Sequence, residues 1–489
     1  MAPVRPTEPI EEFRQRLEER LLDSLTRTGK GYYLLVGILL LIVAWGIYAY
    51  SRQLQQGLIV TGMRDRILWG LYITLFVFFI GISHAGALVS AILQITKAGW
   101  RTPITRMAEL ITVAALMMGA LFPILDQGRP DRIPNLLIFG RWQSPIIWDI
   151  LSITTYLTGS IIFLYLPLIP DLALCRDRLD QRVAPWKHWF YRVFSLGWQG
   201  SPMQRRYLSI AIGMMMVLII PIAVSVHTVV SWIFVMTLRE PWNNPMFGIF
   251  FVAGAIFSGI AAIIVFMAIL RKTLHLEEYI TPKHFINLGY MLGAFSLIMI
   301  YFNASEFIVA GYKMAGETTF HFQQLFIGPF APLYWSYALG GLVLPGLLIL
   351  LPWTRTVKGV VTASVLVLAG MWVERYVIVV GGLRVPLMPY EPAAYFPTWV
   401  EWSIMAGAMA GFILIITLTV KLFPVITIWE MAEHYEAEMV RVPRREAVAW
   451  AEAGHSHAFE PTVPNPGRGS SPNPSPATTG RKSVEGVQP

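Results

Sequence analysis

The chain has 489 residues, of which 55% are hydrophobic and 14% charged, with a formal net charge of +8 and a mean hydropathy of +0.55. A soluble globular chain carries about a quarter charged residues, so this composition excludes a soluble enzyme, a disordered protein and a nucleic-acid binder. The single cysteine, Cys175, excludes a disulfide framework, a thiolate-held iron–sulfur cluster and a CxxCH haem attachment within the chain.

Residues 1–30 are rich in Glu and Arg and lack the short apolar region of a signal peptide. Ile10, Phe13, Leu17, Leu21 and Leu25 recur at helical spacing, which predicts an amphipathic helix lying on the cytoplasmic membrane surface; docking onto a partner subunit is the alternative. Ten hydrophobic segments follow, at Gly31–Tyr50, Ile67–Thr96, Ile104–Leu125, Ile146–Leu174, Tyr207–Thr237, Met246–Leu270, His284–Ala310, Phe330–Leu351, Val357–Val380 and Trp402–Leu422. They approach or exceed the roughly 20 residues that span a bilayer as a helix, and they are apolar on all sides rather than alternating, which favours helices over barrel strands. Trp429–Met439 reads as a charged cytoplasmic helix. Residues 461–489 are a Pro/Ser/Gly-rich tail with little to bury, expected to be disordered. His455 and His457 beside it read as solvated side chains rather than a metal site.

The expected fold is an all-α, polytopic membrane protein with ten transmembrane helices. A faint repeat aligns Gly70, Phe79, Gly81 and Ile82 with Gly248, Phe257, Gly259 and Ile260. It suggests two parallel four-helix bundles, residues 67–237 and 246–380, flanked by a first helix with its loop (31–66) and a tenth helix (381–422), with a cytoplasmic helix and tail at 423–489. Lys and Arg number 28 in the connections and adjoining span ends on the N-terminal side, counting Arg106, Lys358 and Lys421, and 9 on the other, with Arg375 deeper inside a span. By the positive-inside rule both termini are cytoplasmic, in a multi-pass protein of the bacterial inner membrane.

Polar groups inside spans are costly and need a reason. His84 stands mid-span in Gly81-Ile-Ser-His-Ala-Gly86, where Ser83, Ala85 and Gly86 leave space for a ligand; a core histidine bonded to a neighbouring helix is the alternative. Asp126 closes the third span in Leu125-Asp-Gln-Gly-Arg-Pro130, and Asp149 lies one turn inside the fourth, after Ser144-Pro145. Arg129 and Arg141 are near enough in sequence to pair with these acids. His227 lies in the outer half of span five, suited to ligand contact or to a helix–helix hydrogen bond. Glu109, Glu306, Glu374 and Arg375 are read as a partial proton path, with structural ion pairs as the alternative. Glu374 and Arg375, adjacent in sequence, point to different sides of a helix, so Arg375 is expected to meet a partner such as Glu306. Two b-haems would need four paired histidines, and that spacing is absent, whereas counting leaves one haem between spans two and five open.

At Asp126-Gln-Gly-Arg-Pro130, Ser144-Pro145 and the intramembrane His84, the sequence resembles the NrfD/PsrC family of membrane quinone-binding subunits, over roughly residues 60–425. With ten spans and long termini it also resembles the quinol-binding membrane subunits of bacterial alternative complex III. That resemblance implies a menaquinol site in the first bundle near the periplasmic face and no haem or iron–sulfur cluster in this chain. It also implies a periplasmic iron–sulfur partner, c-type cytochromes and a paralogous ten-helix subunit. The roles it transfers fall on His84, Asp126, Arg129, Ser144 and Asp149, joined by Ser83 and His227 as candidate binding residues. Gln127 and Asp149 depart from simpler members, which leaves the quinone type and the proton acceptor open.

The expected function is therefore quinol oxidation within an oxidoreductase complex, with His84 holding a quinol oxygen and taking its proton, and Asp149 or Asp126 passing it on. A secondary transporter, or the quinone-reducing anchor of a molybdenum-type reductase, are the alternatives. Electron-flow direction depends on the partner.

Overall fold

Long uncharged runs bounded by prolines and small capping residues set the architecture. The computed structural model describes residues 9–441 apart from 97, 180–182, 238, 315, 387, 389 and 390. The tail 461–489, with His455 and His457, lies outside the described residues. Everything below concerns the unit Ile10–Ala437. Among the described residues its regular structure is helical, apart from one bridge between Arg64 and Ile67.

Ten helices are long and apolar enough to cross a membrane. They are α2 (Lys30–Gln56), α3 (Leu71–Ile95), α4 (Thr102–Asp126), α6 (Pro145–Arg178), α8 (Pro202–Val235), α9 (Phe247–Thr273), α10 (Pro282–Lys313), α12 (Ala331–Leu350), α13 (Val357–Arg384) and α14 (Trp399–Thr419). Between and around them lie α1 (Ile10–Thr26), α5 (Ile133–Ile138), α7 (Pro185–Phe194), α11 (Gly316–Phe326) and α15 (Ile428–Arg441). Pro145, Pro202 and Pro282 open α6, α8 and α10, where a missing N–H leaves no helical bond unmade. The first span runs on to Gln56 and the ninth to Arg384, both past their expected ends.

Helices α3, α4, α6 and α8 pack in a ring, and α9, α10, α12 and α13 pack in another, with α3 against α9 between them. Glycines set the closest approaches. A Cβ on Gly86 would lie 2.1 Å from the Ala108 carbonyl of α4, so only glycine lets α3 and α4 meet there. Gly81 lies against Ala255 and Ser258 of α9. Helices α2 and α14 pair through Gly46 and Gly407, each of whose added Cβ atoms would come within 3.0 Å of the other's Cα.

The amphipathic helix α1 does not turn its apolar face to lipid. Phe13, Leu17, Leu21 and Leu25 are buried, and Phe13 stacks on Tyr435 at 4.0 Å and meets Tyr279 edge-on. Arg16 pairs with Glu278 at 3.0 Å, and Lys421 donates to the carbonyls of Ser24 and Arg27. Periodicity identified the helix; its cover comes from distant parts of the same chain, which corrects the expected membrane-surface placement.

Two further tethers hold the chain ends. Asp171 of α6 takes the buried Arg106 guanidinium and accepts from the N–H groups of Ile428 and Trp429, capping α15. On the opposite side Glu401 accepts from Tyr395 Oη and from the backbone N–H groups of Gly62 and Thr398, strapping residues 391–398 over the start of α3. Burial, then the Glu401 carboxylate, raises the Tyr395 phenol well above its ordinary value.

Candidate functional site

His84 lies on α3, about 20 Å from that helix's first residue at 1.5 Å per residue. His227 lies on α8, in a buried stripe with Ala223, Val226, Val230 and Ser231. The fold brings the two together, with ring centroids 4.0 Å apart and planes inclined by 54°. Both side chains are fully buried. Neither nitrogen of either ring has a hydrogen-bond partner of acceptable geometry among the described residues, although the Ala223 backbone is turned toward His84.

The pair rests on a hydrogen-bonded floor. Tyr156 of α6 meets His84 edge-on at 5.2 Å and donates its hydroxyl to the Ser83 carbonyl at 3.0 Å. Thr112 of α4 donates to the same carbonyl at 2.9 Å. Four helices therefore fix one imidazole. The Ser83 hydroxyl bonds back to Ile80 O, so this residue contributes through its carbonyl.

Four buried nitrogens without partners are costly, each unmade bond amounting to about 1–3 kcal/mol. Such atoms ask for a polar ligand. A metal held on both sides is a poor fit, since two metal–nitrogen bonds of about 2 Å each need more than 4.0 Å between ring centroids. A ligand whose hydroxyl or carbonyl oxygens meet the ring nitrogens fits the donor set, and a quinol or quinone presents such oxygens.

Toward the side where α6 begins, Asp149 continues the buried face of Tyr156, about 10 Å along the helix. It is buried and its Oδ1 has no hydrogen-bond partner. Asp126 ends α4 on that side, also with Oδ1 unpartnered. Ser144 caps α6 through its carbonyl, without a side-chain bond. Gly128, at φ +66°, turns the chain between Asp126 and Arg129, a conformation that favours glycine.

Arg129 is exposed and pairs with Asp131 at 2.9 Å, which holds the Asp131 carboxyl below its usual range. This replaces the expected pairing with Asp126 or Asp149: a partner two residues away in the same turn outcompetes one inside the bundle. Glu109 is buried on the N-terminal side, accepting from Ser90 Oγ at 2.9 Å, which in turn accepts from Gln94. Arg375 pairs with its neighbour Glu374 at 3.1 Å, not with Glu306. Its long side chain reaches to Gly254 and Phe251 of α9, just before α13 turns π-helical over Val377–Gly381. Tyr156 and Thr112, unremarked among apolar residues in the sequence, complete the histidine floor; a tyrosine mid-span was the available signal.

A family model described as polysulphide reductase, NrfD, matches residues 59–386. Three relatives are the membrane component of a putative dimethyl sulfoxide reductase of Halobacterium salinarum, the integral membrane component of a menaquinone reductase of Nitratidesulfovibrio vulgaris, and that of an Hdr-like menaquinol oxidoreductase of Archaeoglobus fulgidus. They are 28%, 24% and 23% identical to the chain. The alignments cover 76%, 78% and 81% of this chain, and 80%, 88% and 94% of the respective relatives.

Proposed function

Because the chain belongs to the NrfD family of polysulphide-reductase membrane subunits, we propose that it is the quinol-binding membrane subunit of a respiratory or photosynthetic oxidoreductase complex, with menaquinol as substrate. The observation that carries this reading is the buried His84–His227 pair, whose ring nitrogens lack partners. Relatives named for a menaquinone reductase and a menaquinol oxidoreductase support the substrate class.

A quinol supplies two electrons and two protons. Neutral imidazoles accept hydrogen bonds from its hydroxyls, and an imidazole's ordinary titration near neutrality suits it to receive a proton. Tyr156 and Thr112, through the Ser83 carbonyl, keep His84 from turning away. Asp149, with its free oxygen on the same face of α6, takes the proton onward, and Asp126 closes that side. Arg129 and Ser144 shape the loop rather than touch the pair. Glu109, behind Ser90 and Gln94 on the opposite side, extends the reading to proton translocation. A Glu109→Gln complex then moves fewer protons per electron while electron transfer continues; an unchanged ratio removes Glu109 from that role.

The reading places both termini in the cytoplasm of a bacterial inner membrane, supported by the 28-to-9 excess of Lys and Arg on the terminal side. It follows the alternative complex III pattern, in which electrons pass to a periplasmic iron–sulfur protein and c-type cytochromes beside a paralogous ten-helix subunit. A second reading, quinone reduction as a reductase anchor, is favoured by the dimethyl sulfoxide reductase relative; the same histidines then donate protons. The test is the intact complex, purified with its partners and supplied with a menaquinol analogue. The proposal expects haem and iron to co-purify and quinol to be oxidised, with the activity lost in His84→Ala. Wild-type turnover in assembled His84→Ala complex would overturn it.

A further inference from the structure

Away from the histidines, α10, α11, α12 and α13 enclose a cavity of about 50 Å³. Glu306, Glu374, His321, Asn303, Tyr334 and Tyr337 line it with polar groups, enough room and enough partners for ordered water. Glu374 is buried, and its Oε2, although 3.1 Å from the Arg375 guanidinium, makes no hydrogen bond. Two of the three helices that wall the cavity with hydroxyl and carboxyl groups change to π-helix there, α12 at Ser336–Val343 and α13 at Val377–Gly381. Tyr337, Val377 and Ile378 of those segments line the space. The carbonyls of Leu342, Ile378 and Gly381 in these stretches accept side-chain bonds from Ser296, Trp242 and Gln324, so the distortion is held in place. Interruptions of this kind concentrate at working sites.

The cavity has a neighbour on each side. Toward the end of the bundle where α11 lies, His321 approaches Gln324, Nδ1 to Nε2, at 3.5 Å. Gln324 also lines an open cleft of about 470 Å³ bounded by Gln323, Ile327 and Arg384. Toward the centre, the Arg375 guanidinium fills the space left by Gly254, where a Cβ would meet its Nη2 at 2.6 Å, and stacks over Phe251 at 4.8 Å. Its Nη2 has no hydrogen-bond partner among the described residues, and Phe251 beneath it meets Phe234 at 5.8 Å, two turns from His227 on the buried face of α8.

We propose that this cavity is a proton-exchange site: Glu306 and Glu374 hold one proton between them and trade it with outside water through His321 and Gln324, answering the charge on the His84–His227 pair through Arg375. Two carboxylates in one small buried space do not both ionise readily, so one proton is the resting load. A proton arriving on the histidine pair adds a positive charge beside Arg375; the cavity then releases its own proton to the cleft, leaving a carboxylate to balance the charge. When the histidines discharge through Asp149, the cavity takes a proton back from the same cleft. Protons balance over the cycle, no electron is involved, and the site lowers the cost of charging a dry histidine pair.

The inference rests on the quinol reading, and the experiment separates the two. The whole complex in vesicles is mixed rapidly with a menaquinol analogue, with a pH indicator on the α11 side. Wild type is expected to release acid in a fast phase, with histidine protonation, and none in the later discharge, where reloading of the cavity cancels the proton that leaves through Asp149. Glu374→Gln and Glu306→Gln should lose the fast phase while the final amount of acid per electron stays unchanged. His321→Phe, which blocks the exit and leaves both carboxylates, should slow that phase at least tenfold. Asn303→Leu, which fills the cavity, covers the case in which a carboxylate variant fails to assemble and should also lose it. Release by the wild type only at the slow rate of histidine discharge, or a fast phase surviving in Glu374→Gln or Asn303→Leu, overturns the exchange site and leaves the quinol reading standing. Absence of quinol oxidation in the wild type overturns the quinol reading and the exchange site with it.

Discussion

Replacing His84 by leucine separates chemistry from packing more cleanly than any other single change in the first ring of helices. Leucine roughly fills the imidazole volume but offers no atom to a hydroxyl. The ring nitrogens have no well-aligned hydrogen-bond partner among the described residues, so removing them sacrifices at most the approach to the Ala223 backbone and relieves a burial cost of about 1–3 kcal/mol for each unsatisfied group. Against this stand the contacts with Tyr156 and His227, of which an aromatic pair contributes about 0.5–1.5 kcal/mol. The two effects nearly cancel or favour the variant, so His84→Leu complex should assemble and melt within a few degrees of wild type. Turnover should fall about 10²–10⁴-fold, the usual contribution of a positioned proton acceptor, or roughly 3–5 kcal/mol of barrier. The assay is menaquinol-analogue oxidation by purified complex, normalised to bound haem and run beside His84→Ala, which adds a cavity. Assembled His84→Leu complex turning over within threefold of wild type would refute the proton-accepting role. Loss of assembly in His84→Leu with normal melting of His84→Asn would show instead that the imidazole is a structural polar group.

Gly86→Ala should destabilise by about 1–3 kcal/mol or more through overpacking, because its Cβ would meet Thr112 and Ala108; a detergent-phase melt reads this directly. Asp171→Ala leaves Arg106 buried without its carboxylate, a loss of about 3–5 kcal/mol, and should expose α15 to protease; a protected α15 would refute the capping role. Burial depresses the His321 imidazole to about 4, below its unfolded value near 6.5. The folded state therefore binds fewer protons, and stability should fall as pH drops from about 6.5 to about 4, a slope that His321→Gln flattens. A reporter active only in the periplasm, fused after Leu422, should be silent; activity there would reverse the proposed orientation.

The ten spans were legible because each is a long apolar run, and hydropathy reads such runs without knowing what they touch. His84 and His227 were legible as costly residues, and their meeting is geometric, set by how α3 and α8 cross rather than by any spacing within either. Arg375 shows the limit of helical-wheel reasoning: Cβ directions about a hundred degrees apart did not stop a long guanidinium from reaching Glu374. Arg129 failed for a related reason, since Asp131 was closer than either predicted acid. The cover over α1 and the π-helical turns beside the cavity depend on contacts between segments far apart in the chain, which periodicity does not encode. Nothing in Ser336–Val343 marks it in sequence as other than an ordinary apolar stretch.

The pairing of Gly46 with Gly407 bears on how the molecule is made. Among the ten described spans, α2 finds its main neighbour in α14, more than 340 residues later, and α1 likewise waits for Lys421 and Tyr435. Throughout synthesis α2 is held only by lipid and by weaker contacts, and the Glu401 strap over α3 is also among the final pieces laid down. This pairing thus waits for α14, and a chain stopped short of Trp399 should be recognisable to membrane quality control by an unsatisfied α2. The pairing of α2 with α14 is separated from the insertion of α2 by both rings of helices, which makes α14 a checkpoint on the spans between them.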